Sequence, residues 1–350
     1  METFFKDVEV ICNFLTDIRN LKNKTIIVTG STGLIGKMLV YSLMEMNVKR
    51  DANISVIATA RNIEKAQKIF LKWSNFSNFN LKYLDINEKI KEDDFPQKID
   101  YVVHAAANTS SVDMAHSPLK MIDSIFEGTR KLLNFAKNKH VDKFIYLSSM
   151  EVYGQTSLDD GRIKEDFYGK ISLDSTRSSY PEAKRLTELL VLSYGKEYDF
   201  TTITLRPTQV IGAGVTVNDP RVFAEFTRQA LTTHQIIMKT EGKTVRSYVY
   251  ISDMINAILH ALCNIDHSDT FNVSNSKITI SIAEMAKIIA DIVGDTKIVI
   301  DSNDVEERGF APELQMELSS QKLIDTGWTP QVNTKEMFNK LIKSFIEQGK

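Results

Sequence analysis

Short runs of β-branched and apolar residues alternate, along the first two thirds of this chain, with longer stretches of helical periodicity. The runs lie at 25–29 (TIIVT), 53–60 (NISVIATA), 80–84, 100–104 (DYVVH), 143–148 (KFIYLS) and 201–206, and helical patterns fill 63–73, 117–139 and 178–198 between them. Runs that are apolar throughout suit strands buried on both faces of a parallel sheet. The alternation predicts an α/β fold of the Rossmann type, a doubly wound parallel sheet with right-handed crossovers and helices on both faces. Beyond Pro207 the pattern is less regular, with a loop rich in Gly and Asn, helices near 219–233, 252–263 and 281–293, and short strands near 236–239 and 246–250. This reads as a smaller C-terminal domain, 207–350, whose last fifteen or so residues form one amphipathic helix. At the other end, Phe4, Phe5, Val8, Ile11, Leu15 and Ile18 fall near helical spacing, interrupted by Asp7, Glu9 and Asp17. Residues 1–23 are therefore expected to add an amphipathic helix packed on the body, not a signal peptide or a membrane span.

The junction between the first run and its helix carries chemistry. Gly30, Gly33 and Gly36 follow Thr29 in T-G-x-x-G-x-x-G spacing, and a helix begins at about Leu34. The first glycine permits a sharp turn, the second lets backbone amides approach a pyrophosphate, and the third lets the helix lie close to the sheet. The helix N-terminus then points its positive end at the phosphates. Gly30, Thr32, Gly33, Leu34, Ile35 and Gly36 are thus candidate contacts to a dinucleotide, and 24–206 is the dinucleotide-binding domain.

A second signal is LSSMEVYG at 147–154, followed by SSYPEAKRLTELL from Ser178. Tyr180 and Lys184, four residues apart, share one face of a helix. A lysine ammonium beside a phenol is expected to lower the phenol's pKa and make a base usable near neutral pH. Ser149 ends a strand, where parallel sheets present reactive groups.

Composition narrows the class without naming it. With 350 residues, 43% hydrophobic and 25% charged, the chain can bury a large core, as an ordinary soluble enzyme does. A net charge of −2 and no long run of one sign favour neither nucleic acid nor an anionic membrane as partner. Cys12 and Cys263 make no disulfide framework, and no His/Cys ligand cluster points to a metal, so a reduced cytoplasmic location is expected.

Taken in order, these motifs resemble the extended short-chain dehydrogenase/reductases, the NAD-dependent epimerase/dehydratase group that remodels nucleotide sugars. The likeness spans roughly 24–345. Within the group the chain looks most like UDP-glucuronate decarboxylases, through MEVYG, SSYPEAKR, NDPRVFAEFTRQAL and VRSYVYISDMINAIL. The resemblance implies a catalytic set on Ser149, Tyr180 and Lys184, with Glu151 as acid/base at carbon 5 of the sugar. It implies cofactor contacts from Asp85 and Ile86 of YLDI and from Ala105, Ala106 and Ala107 of HAAANTS. It also implies a nucleotide-sugar pocket that includes Ser110, Gln209, Arg221 and Arg246, the two arginines suiting a diphosphate by their fork geometry. In the family the helix bearing Tyr and Lys commonly pairs across a two-fold, so a homodimer is expected, with Leu186, Leu189, Leu190 and Leu192 available for the contact or facing their own sheet. Met150 replaces the aspartate of dTDP-glucose-type dehydratases, which counts against dehydration, and Gln209 stands where relatives commonly have an asparagine.

Cofactor choice turns on VIATARN, where Ala60 occupies the place of the acid that binds the ribose of NAD and Arg61 follows. NADP is favoured, with NAD the alternative if Arg61 only stacks on the adenine. Epimerisation, dehydration and decarboxylation all remain open as net reactions. Two other classes share the fold signals: an NADPH-dependent carbonyl or 4-keto-sugar reductase, and a non-catalytic dinucleotide sensor.

Overall fold

In a computed structural model, residues 1–106, 116–301 and 314–349 are described. Seven parallel strands form the main sheet, in the spatial order Asp269–Val273, Thr201–Pro207, Lys143–Leu147, Tyr101–His104, Thr25–Thr29, Ser55–Ala60 and Phe79–Tyr83. The chain starts in the middle, winds outward to Phe79–Tyr83, returns, and winds the other way, so the strand order reverses beside Thr25–Thr29. Ligands of open α/β sheets lie at that switch point, outside the carboxyl ends of the strands. One face is covered by the helices Leu34–Arg50 and Ile251–Asn264, the other by Gly128–Asn138 and Ser179–Tyr198. Ile26 and Val28 point into one core and Ile27 into the other, as the two-residue period of a strand requires.

The strands and helices expected up to Tyr198 are present within a few residues, with two adjustments. The helix expected at 63–73 ends at Ile69 and continues as a 3-10 turn, Leu71–Trp73. The helix expected at 117–139 contains a π turn, Asp123–Glu127, between Pro118–Ile122 and Gly128–Asn138. Packing explains the turn's position, because Met121 and Ile125 close over Tyr180 and Ala183.

The boundary expected at 206/207 is crossed by the chain. Strand Asp269–Val273 extends the main sheet at its edge, and helix Ile251–Asn264 covers the same sheet. A second sheet holds Asn275–Ser281, Val245–Tyr250, Gln315–Leu318 and Arg162–Ile163, with Gln209–Ile211 also paired to Val245–Tyr250. Its short strands bring segments from both halves of the chain to the carboxyl end of the main sheet.

The N-terminal helix Glu2–Phe14 buries Phe4, Val8, Ile11 and Cys12 against Leu34–Arg50 and Ile251–Asn264. It also buries a charge: Asp7 accepts a hydrogen bond from the Tyr250 hydroxyl at 2.6 Å and pairs with Lys340 at 3.1 Å. Burial raises the Asp7 carboxyl above its ordinary value despite both partners. A buried ion costs desolvation unless it is paired, so this contact selects one docking of the first helix and the last. Among the described residues no helix is long and apolar enough to cross a membrane.

Candidate active site

Three strand ends build the glycine turn. Gly30 has a left-handed φ of 66°, and a Cβ there would lie 2.7 Å from the backbone of Ala106. A Cβ at Gly36 would fall on the Gly30 carbonyl, which is how closely the helix approaches the turn. Gly33 is exposed and caps the helix that begins at Leu34, so amides of the first helical turn face outward at the switch point. Ser31 holds the turn down by donating through N and Oγ to the Thr59 carbonyl, at 3.3 and 2.9 Å. Thr32, Leu34 and Ile35 are half-buried around it. Gly30 and Gly36 admit no side chain, and the cradle they leave fits a dinucleotide pyrophosphate.

Beneath the turn lies a residue that pattern reading passed over. His104, wholly buried, contacts Thr29 Oγ1 through Nδ1 at 2.7 Å and Thr129 Oγ1 through Nε2 at 3.0 Å. Thr129 donates to the Ile125 carbonyl, so its oxygen accepts from His104 Nε2–H, and Nδ1 accepts from Thr29. Burial, with help from the Lys184 charge, pushes the imidazole down to about 3, so it is neutral. Thr29 Oγ1 in turn accepts from Ala106 N at 3.2 Å, tying the glycine turn to the 104–106 segment. The signal was a histidine ending an apolar strand, a polar group that burial obliges to be paired. Ala105 and Ala106 are half-buried there, whereas Ala107 and Ser110 lie outside the described residues.

Across the cleft, Ser149, Tyr180 and Lys184 converge. Tyr180 is 4% exposed, on the helix that follows the Ser149 turn in the chain. Lys184 is 2% exposed, donates to the Leu147 carbonyl at 2.7 Å, and has Nζ 5.9 Å from the Tyr180 ring centre and 4.7 Å from that of Tyr146. The expected lowering of the phenol does not occur in the protein alone. Burial raises it above the ordinary tyrosine value, against the influence of Ser149, and the Glu151 charge raises it further. Burial likewise pulls the Lys184 ammonium down to about 7, opposed by the Glu188 charge. Desolvation outweighs the attraction because the ammonium binds a carbonyl and not the phenol. Ser149 caps the 3-10 turn Met150–Tyr153 by accepting from Glu151 N at 3.2 Å, and Glu151 itself is exposed at the cleft.

The remaining candidates divide by environment. Arg246 is half-buried with its Nε enclosed and unpartnered, and the same holds for Gln209 Oε1. Tyr248, two residues beyond Arg246 on the same strand, pairs in register with Gln209. Buried polar atoms without partners mark a place built for polar contacts from outside. Arg221 instead makes a two-point contact with Asp219, at 2.9 and 2.7 Å. Burial pushes the Asp219 carboxyl up, and Arg221's hydrogen bonds and charge more than offset this.

On the far edge, Arg61 follows Ala60 and is exposed at a strand end next to the glycine turn. Asp85 Oδ1 accepts from Asn87 N and Nδ2, each at 2.9 Å, and so closes a turn. Ile86 is buried against Gly128. Among the described residues no group of three His, Cys, Asp or Glu side chains is arranged to hold a metal ion.

Known proteins agree with this architecture. UDP-glucuronic acid decarboxylase 1 of Xenopus tropicalis is 27% identical over 330 residues, 93% of this chain and 73% of that protein. The UDP-glucuronic acid 4-epimerase of Bacillus cereus, solved with UDP-glucuronic acid and NAD, shares the fold at a TM-score of 0.76 and 22% identity, covering 93% of this chain and 100% of that one. RMD from Pseudomonas aeruginosa, solved with NADPH, shares it at a TM-score of 0.72 and 22% identity, covering 93% and 99%. The model of the NAD dependent epimerase/dehydratase family matches residues 26–274, from the first strand of the main sheet to the last. The chain belongs to that family.

Proposed function

We propose that the protein oxidises a nucleotide-diphosphate sugar at carbon 4, with UDP-glucuronate as substrate and loss of its carboxylate as the net reaction. The observation that carries the reading is the burial of Tyr180 and Lys184 together on one helix face, with Lys184 Nζ 5.9 Å from the Tyr180 ring centre and Ser149 at the adjoining strand end. The dinucleotide, when bound, supplies a hydride acceptor and a positive charge. Tyr180 Oη takes the proton of the sugar 4-hydroxyl, and Ser149 Oγ bonds the same oxygen. Lys184 balances the phenolate charge. Glu151, exposed two residues from Ser149, supplies the proton that carbon 5 takes up when the ketone-activated carboxylate leaves as carbon dioxide, and the hydride then returns to carbon 4, so the net reaction is non-redox. Arg246 Nε supplies an unpartnered donor for the diphosphate, Gln209 Oε1 an acceptor for a hydroxyl of the nucleotide sugar, and Asp219 orients Arg221.

The exposed faces support a homodimer. Leu186, Leu189 and Leu192 project outward from helix Ser179–Tyr198, and Leu119 and Ile122 are exposed on the neighbouring helix, whereas Leu190 packs on its own core. Patches of this kind on an otherwise charged surface mark association. Scattering-coupled size exclusion of the parent should give twice the chain mass at micromolar concentration, and Leu189→Glu should give the chain mass. A monomeric parent removes the dimer.

Incubation with UDP-, GDP-, CDP- and dTDP-sugars, read by product mass, tests the reaction. UDP-glucuronate should lose the mass of carbon dioxide without net consumption of dinucleotide. Tyr180→Phe should lower turnover by about a hundred- to ten-thousandfold while dinucleotide affinity stays within a few-fold. Turnover near the parent's level would remove Tyr180 as the base, and net oxidation of NADPH would replace the reading with a reductase.

Arg61 supports a preference for NADP, since no acid follows Ala60 to repel a 2′-phosphate and a guanidinium can meet it. Charge-assisted hydrogen bonds of this kind contribute about 1.5–3 kcal/mol, or roughly ten- to a hundredfold. Arg61→Ala should weaken NADP by that factor and leave NAD unchanged. Tighter binding of NAD than of NADP by the parent would overturn the preference.

A further inference from the structure

The two halves of the catalytic constellation stand on different elements. Tyr180 and Lys184 are on helix Ser179–Tyr198, while Ser149 and Glu151 are on the turn that follows strand Lys143–Leu147. Something must fix their separation, because Ser149 and Tyr180 can bond the same substrate oxygen only at one spacing. Two arginines bridge the gap. Arg185, next to Lys184, donates from Nε to the Val152 carbonyl and from Nη2 to the Gly169 carbonyl, both at 2.8 Å, while Nη1 meets Glu182 at 3.3 Å. Arg206, buried in strand Thr201–Pro207, grips both oxygens of Glu188 on the helix and donates from Nη1 to the Tyr153 hydroxyl at 2.8 Å. Val152 and Tyr153 belong to the 3-10 turn that Ser149 caps and that contains Glu151.

The turn is confined on its other side as well. Gly154 has φ 67°, and a Cβ there would strike the Lys170 carbonyl and Ile171 Cγ1; Gln155 N donates to the Lys170 carbonyl at 3.0 Å. Gly169 lies so close to the Tyr153 and Gln155 carbonyls that it too admits no side chain. Residues 149–155 are therefore held between the 169–171 segment and the helix, and Arg185 hydrogen-bonds to all three parts.

We propose that Arg185 is a positioning residue for the reaction, a clamp that sets the Ser149–Glu151 turn against the Tyr180–Lys184 helix. It acts without touching substrate, through two backbone carbonyls whose geometry a planar fork matches and a lysine cannot. Arg206 forms the second jaw, but it also neutralises a buried carboxylate, so its removal leaves an unpaired charge and threatens the fold. Arg185, with its side chain 28% exposed, can be removed without burying one. The proposal rests on the assignment of Tyr180 and Ser149 as the reacting pair.

Two readouts on Arg185→Ala and Arg185→Lys test it. Hydrogen exchange should quicken in residues 149–155 and 169–171 of Arg185→Ala, with the amides of the main sheet protected as in the parent. Its kcat should fall about ten- to a hundredfold, the scale of an ångström-level misplacement, while KM and dinucleotide affinity change less than about threefold. Added guanidinium should recover part of kcat, Arg185→Lys should recover little, and Glu182→Gln should match the parent. Unchanged exchange at 149–155, or kcat within twofold of the parent, overturns the clamp. A parent that turns over no nucleotide sugar overturns the proposed function instead, and the exchange measurement tells the two failures apart.

Discussion

Desolvation of two ionisable groups in one place governs this molecule. Tyr180 and Lys184 are both buried, and burial disfavours the charged form of each, raising the phenol and pulling the ammonium down to about 7. Neither charge is stable alone, so the site favours conditions in which the two appear together or a further positive charge joins them. Glu188, one helical turn beyond Lys184, opposes the loss of the lysine proton, and Arg206 holds that carboxylate in place.

The rest of the architecture keeps this pair dry and correctly spaced. Met121 and Ile125 close over Tyr180 from a helix whose π turn brings both to bear. Across the cleft, the Thr29–His104–Thr129 chain fixes the glycine turn to the sheet with a neutral imidazole, so this part of the scaffold adds no charge beside Lys184. Arg185 and Arg206 join the serine turn to the helix. The second sheet brings Arg246 and Gln209 to the same sheet edge from segments more than thirty residues apart in the chain.

Much of this was legible in the sequence because parallel strands, glycine turns and long helices each leave a local signature. The apolar runs at 25–29 and 143–147 and the glycine spacing after Thr29 need no distant information. What escaped was non-local. Strands Asp269–Val273 and Gln315–Leu318 are short and half-buried, and only their partners make them strands. His104, Arg206 and Glu188 are single polar residues in apolar elements, and only the fold brings His104 to Thr29 and Thr129 and Arg206 to Glu188. The direction of the Tyr180 shift was misjudged for the same reason: i,i+4 spacing shows that two side chains share a face, but not that Lys184 Nζ bonds the Leu147 carbonyl. Arg221 was expected to be available for a diphosphate, and its neighbour Asp219 already holds two of its nitrogens.

Burial disfavours the Tyr180 phenolate, and cationic charge in its pocket would favour it. Ultraviolet difference titration of the parent against Tyr180→Phe isolates that one phenol. In the protein alone its midpoint should lie above the ordinary tyrosine value of about 10; with saturating oxidised dinucleotide it should fall toward neutrality. A midpoint that starts at or below the ordinary value, or that oxidised dinucleotide leaves unmoved, would contradict the account.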